Sequence, residues 1–168
     1  MAVNMITIST MLPQHCETVK TIYEEGIATG NATFQTSAPN WQQWDDAHVK
    51  NCRLVATENN KVLCRAALTP VSGRCVNAGV AEVSVYIAAN TKGKNIGSLL
   101  LQELIHQSEQ NGIWTLQSGI SPENKASISL HKKNGFRIIG YRQRIGKMAN
   151  TWRDNISLER RSNKIGID

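Results

Sequence analysis

The stretch AEVSVYIAANTKGKNIGSLLLQELI, residues 81–105, joins a carboxylate in an alternating strand to a glycine- and lysine-bearing loop and then to an apolar helix. Successive strand side chains point to opposite faces, so Glu82 shares a face with Ser84 and Tyr86, while Val83, Val85 and Ile87 share the other. A carboxylate in partly apolar surroundings has its pKa raised toward working pH and suits a general base. The loop TKGKNIGS (91–98) presents consecutive backbone N–H groups at a helix N-terminus, where the helix dipole favours an anion. Gly93 and Gly97 allow close approach, and Lys92 and Lys94 add charge. Neither the mononucleotide P-loop spacing nor the dinucleotide glycine fingerprint is present. Two further side chains carry usable chemistry. His131 titrates near neutrality and suits proton transfer to a leaving group. Arg74, in SGRCV just before the strand, offers a bidentate fork to a carboxylate.

The elements that must position these groups are legible from periodicity and punctuation. A short strand over 3–9 leads to a helix opened by Pro13, with Val19, Ile22, Tyr23 and Ile27 at helical spacing and Gly26 and Gly30 as its stop. Residues 31–39 are polar and irregular around one aromatic, Phe34. A second helix is predicted over 40–51, capped by Asn40, and a hairpin over 53–71 turns at Asn59–Asn60. After the loop 72–79 and the strand 80–88, a helix over 95–112 presents Ile96, Leu100, Leu101, Leu104 and Ile105 on one face. A strand over 113–120, a helix over 121–135 capped by Ser121 with proline at its first position, and two final strands complete the chain. The order β-α-α-β-β-β-α-β-α-β-β implies a single α/β (α+β) domain over 1–160, a mixed, mostly antiparallel sheet flanked by about four helices. Residues 161–168 read as a frayed tail.

With 168 residues, 40% apolar and 19% charged, the chain is long enough for one globular core. No apolar run reaches the roughly 20 residues of a membrane span, and the N-terminus lacks a secretory pattern. The four scattered cysteines suit a reducing, cytoplasmic setting and indicate neither a disulfide framework nor a metal site. The net charge of +6 implies a polyanionic partner. The aromatics do not alternate with basic residues as nucleic-acid stacking requires, so a phosphorylated small molecule is the expected polyanion, with no nucleic-acid or membrane partner.

The ordered segments IYEEGIATGNATFQT, RCVNAGVAEVSVYI and NKASISLHKKNGF resemble the GNAT superfamily of N-acetyltransferases, and within it the phosphinothricin and methionine sulfone/sulfoximine branch. The resemblance spans about residues 5–160. It implies acetyl-CoA as co-substrate, no metal, a small amino-acid-like acceptor and a homodimer. The family's pyrophosphate loop falls on Lys92, Gly93, Lys94, Asn95, Ile96 and Gly97, leading to Ser98. Here lysine replaces the usual arginine or glutamine and Asn95 the first glycine, though asparagine tolerates positive φ. The resemblance further implies that Val83, Val85, Tyr86, Ile87, Asn124 and Lys133 contact the cofactor. Glu82 would be the base and His131 the proton donor to the thiolate. Phe34, Arg74, Cys75 and Asn77 would shape the acceptor pocket. An acetyltransferase for a peptide N-terminus or a polyamine, and a non-catalytic acyl-CoA-binding module, stay open as alternatives.

Overall fold

Asn59 and Asn60 both take positive φ, 49° and 64°, the left-handed pair that a tight hairpin turn requires. Strands β2 (Leu54–Glu58) and β3 (Lys61–Pro70) therefore fold back on each other where the sequence predicts. The computed structural model describes residues 5–91 and 93–167. The expected loop residue Lys92 lies outside them. The remaining elements are β1 (Ile6–Thr10), α1 (Cys16–Ala28), α2 (Trp41–Ala47), β4 (Val80–Ile87), α3 (Ile96–Gln110), β5 (Thr115–Ile120), α4 (Lys125–Lys133), β6 (Arg137–Met148) and β7 (Thr151–Arg161). They follow the predicted order. The strands form one sheet ordered β1-β2-β3-β4-β5-β7-β6, in which, among the described residues, only the β4–β5 pair is parallel.

Each face of the sheet carries its own core. On one face, Leu100, Leu101 and Leu104 of α3 are fully buried against Leu54, Leu68, Val83, Leu116 and Leu158, with Ile128 and Leu130 of α4 beside them. Burial of each such leucine contributes about 1.5–3 kcal/mol. On the other face, Val19 and Ile22 of α1 and Trp44 of α2 pack on Val55, Val62 and Ala67, with Tyr86 against them. The alternation of β4 is thereby realised. Val83, Val85 and Ile87 face α3, while Tyr86, and with it the Glu82 side of the strand, faces α1.

Local chemistry sets the helix ends. Asn40 Oδ1 accepts from the Gln43 N–H at 2.9 Å, and Gln43 Oε1 accepts from the Asn40 N–H at 3.1 Å, a reciprocal cap that starts α2. α4 begins later than expected. Asn124, not Ser121, caps it, accepting from the Ser127 N–H at 3.2 Å, and Pro122 precedes the helix. The start of the expected tail is held in place. Ser162 is buried, its N–H donates to Trp114 O at 2.8 Å, and its hydroxyl donates to Glu109 Oε1 at 2.9 Å. The Arg161 guanidinium also donates to Ile165 O at 3.0 Å. A serine beside a buried glutamate, and an arginine facing main-chain carbonyls, supply partners that composition alone does not reveal.

Candidate active site

β4 and β5 pair only through Val80↔Thr115, Ala81↔Leu116 and Glu82↔Gln117. β4 then continues to Ile87 along β3 without β5 beside it. The backbone groups that would have bonded to β5 are left facing a cleft, where an incoming polar chain can satisfy them. Glu82 is the last paired residue, so it sits where the two strands part. The cleft has a volume of about 1100 Å³.

The phosphate-side residues meet at one end. Asn95 takes φ 61° and ψ 8° as the residue preceding α3, and Gly93 takes φ 85°. This left-handed corner turns the loop so that the free N–H groups of the first turn of α3 point outward. The Asn95 carboxamide oxygen accepts from Lys133 Nζ at 3.1 Å, so two residues predicted separately are joined across 38 positions. Gly97 gives Ile87 its room, since a Cβ there would lie 2.6 Å from Ile87 Cδ1 and would make that side chain shift. Asn95, Gly93, Gly97, Ser98, Asn124 and Lys133 all line the cleft, with Val83, Val85, Tyr86 and Ile87 of β4. Lys94 is exposed and does not line it, and Ile96 is buried in the α3 core instead. These residues suit acetyl-CoA: a nest and a lysine for phosphates, and an unpaired strand edge for an amide-bearing arm.

Glu82 is open to the cleft, yet its walls exclude enough water to raise the carboxyl pKa above the ordinary value, with the Arg142 charge pulling it partly back. Its neighbours on the same face are held from behind. Arg65 is buried, stacks its guanidinium 4.5 Å from the Tyr86 ring centroid and donates to Ser84 Oγ at 2.7 Å. The Tyr86 hydroxyl donates to Ala32 O at 3.2 Å, tying β4 to the segment that carries Phe34. Phe34 lies over the strand β6, where a Cβ added to Gly146 would stand 3.1 Å from its ring.

His131 lines the same cleft, on the α4 side. The ring is buried, and Nδ1 lies 2.8 Å from Ser127 O, which can only accept, so Nδ1 holds the proton. Burial pushes the imidazole pKa down. In the neutral ring Nε2 is then a bare acceptor, without a partner among the described residues, and has no proton to pass to a thiolate. Arg74, Cys75 and Asn77 occupy a loop and a short 3-10 turn before β4, and none of them lines the cleft of this chain.

Other cleft residues were not anticipated. Arg153, Asn155 and Ser157 of β7 alternate along one face, and Arg142 of β6 lies opposite Asn155. Arg153 donates to Gly30 O and Ser121 Oγ at 3.3 Å each, and it lies 3.6 Å from Glu123. The polar alternation in WRDNIS was a usable signal, but without the strand order nothing assigned that face to a site.

The profile of the acetyltransferase (GNAT) family matches residues 18–136. The chain belongs to that family. Among curated GNAT relatives, the phosphinothricin N-acetyltransferase of Alcaligenes faecalis is 30% identical over 154 residues, covering 84% of this chain and 75% of that enzyme. The L-methionine sulfoximine/L-methionine sulfone acetyltransferase of Pseudomonas paraeruginosa is 37% identical over 76 residues, covering 45% of this chain and 44% of that one. Among solved structures, a ribosomal-protein-alanine N-acetyltransferase from Brucella melitensis superposes with a TM-score of 0.85 at 25% identity, over 93% of this chain and 99% of that one. The parted strands and the turned loop before α3 thus belong to a GNAT domain.

Proposed function

We propose that this chain acetylates the amino group of a small amino acid or toxic analogue, of the phosphinothricin or methionine sulfoximine type. That it is an acetyl-CoA-dependent N-acetyltransferase follows from its family, and the named relatives support the acceptor class. The observation that carries the reading is the position of Glu82 at the parting of β4 and β5, beside the cleft end that suits a thioester. Glu82 takes the ammonium proton. The freed amine attacks the thioester carbonyl, the new C–N bond forms, the C–S bond breaks, and the proton that the nitrogen then sheds passes to the departing sulfur to give CoA thiol. A β4 N–H near Val83–Val85 polarises the carbonyl. The phosphates rest on the loop from Gly93 to Ser98 with Lys133, and Phe34 walls the acceptor side chain.

Release of CoA from acetyl-CoA across a panel of amino acids and analogues tests the acceptor class. Glu82→Gln lowers turnover about 100-fold or more while leaving acetyl-CoA affinity intact. Turnover close to wild type in that variant removes Glu82 from the chemistry. A peptide N-terminus is the second reading, favoured by the name of the Brucella structure. It predicts that peptides outcompete free amino acids in the same panel.

A cytoplasmic homodimer is part of the proposal. The four cysteines are free thiols, which suits a reducing compartment. The β6–β7 hairpin exposes Ile138, Ile139, Tyr141 and Trp152, an apolar surface on which a second copy can seat. Light scattering reads the mass directly.

A further inference from the structure

An α-amino acid brings an ammonium and a carboxylate less than a nanometre apart, so its site needs an anion and a cation at matching separation on one wall. Glu82 supplies the anion. Strand register identifies the cation. Glu82 lies beside Gln117, Gly119 lies beside Ser157, and Arg142 lies beside Asn155. Paired residues project to the same face, so Glu82 and Arg142 stand on one face of the sheet, separated by β5 and β7. Both line the cleft. The Arg142 charge reaches Glu82 strongly enough to act on its titration, and yet the two do not form an ion pair. Among the described residues neither has an ion-pair partner, and a zwitterion supplies one to each.

The other cations of the cleft are committed or lie at its other end. Arg153 is spent on Gly30, Asn31, Ser121 and Glu123. Lys133 holds Asn95, and Lys125 opens α4. Arg142 makes no ion pair among the described residues. Its own strand is distorted directly beside it. Between Arg142 and Gly146 the β6–β7 register shifts, Arg144 takes φ 53°, and its N–H donates to Asp154 Oδ1 at 2.7 Å. Bulges of this kind redirect strand side chains. Phe34 packs on Gly146 at the far end of the same bulge.

We propose that Arg142 is the specificity residue that binds the α-carboxylate of the acceptor and sets its amine toward Glu82, the place the sequence assigns to Arg74. This rests on the amino-acid acetylation proposed above. The test measures kcat and KM for an amino-acid acceptor and for its carboxamide, in wild type, Arg142→Gln and Arg142→Lys, with thermal melting to confirm folding. Arg142→Gln raises KM for the free acid about 10- to 100-fold, as expected for losing a charge-assisted hydrogen bond, and leaves KM for the carboxamide within about threefold. Arg142→Lys restores part of the loss. The acid limb of the carboxamide profile moves to higher pH in Arg142→Gln, since Glu82 loses its neighbouring charge. Equal effects on acid and carboxamide, no effect on either, or an unmoved limb overturns the proposal. A wild-type enzyme that acetylates neither compound but does acetylate peptides overturns the underlying reading instead.

Discussion

Asn95 offers a sharp test of the phosphate loop, because two separable contributions meet in one side chain. Its backbone is left-handed at φ 61°, and its carboxamide oxygen receives Lys133 Nζ at 3.1 Å. Asn95→Ala removes both. A left-handed alanine costs about 1 kcal/mol relative to asparagine, and an exposed hydrogen bond contributes about 0.5–1 kcal/mol. If the loop relaxes out of its nest when free of ligand, acetyl-CoA binding has to restore it. The sum of about 1.5–2 kcal/mol then appears as a 10- to 30-fold rise in Kd. Asn95→Gly keeps the left-handed turn at no steric cost and loses only the Lys133 contact, so its Kd rises about 2- to 5-fold. Titration calorimetry with acetyl-CoA and with CoA reads both. A glycine variant as weak as alanine refutes the conformational argument. An alanine variant binding like wild type refutes both contributions.

Three further outcomes follow from the same geometry. Because the Glu82 pKa is raised by its walls, the base-competent fraction grows as pH rises through that pKa. Wild-type kcat/KM therefore climbs across that range, and Glu82→Gln flattens the limb. Glu109→Gln lowers Tm by roughly 4–8 °C, since loss of the carboxylate leaves Arg160 short of its 3.1 Å partner at a cost of about 2 kcal/mol. Burial raises the Glu109 pKa, but hydrogen bonds from Ser162 and Arg160 outweigh it and hold the pKa low. The advantage over Glu109→Gln is thus full above the ordinary carboxylate pKa and fades as pH falls through the depressed one, which acid melting curves will show. Burial lowers the His131 pKa, so His131→Asn leaves the acid limb of kcat/KM where it lies in wild type, and a displaced limb assigns that limb to His131.

The parts of this molecule that local pattern determines could be read before the fold was seen. The alternation around Glu82 placed it correctly opposite Val83 and Val85, and Asn59–Asn60 marked the hairpin, because period and turn chemistry act within a few residues. Asn95 was legible as a tolerable left-handed corner for the same reason. What escaped depends on distant partners. Nothing local marks Arg142, since only the pairing of β6 with β7 and β7 with β5 carries it to the Glu82 face. Arg74 sits next to β4 in sequence, but it is not among the residues that line the cleft of this chain. The role of His131 turned on one carbonyl, Ser127 O, whose position no residue type announces.

The parting of β4 from β5 means that the widest contact surface of the site is main chain. An arm carrying amides can dock along β4 as a short extra strand, reading the spacing of peptide groups rather than side-chain identity. Recognition written in backbone is insensitive to substitution, provided the strand keeps its course along β3. The chain can therefore keep its grip on the carrier while the proposed acceptor face on β6 and β7 is remodelled toward new amines.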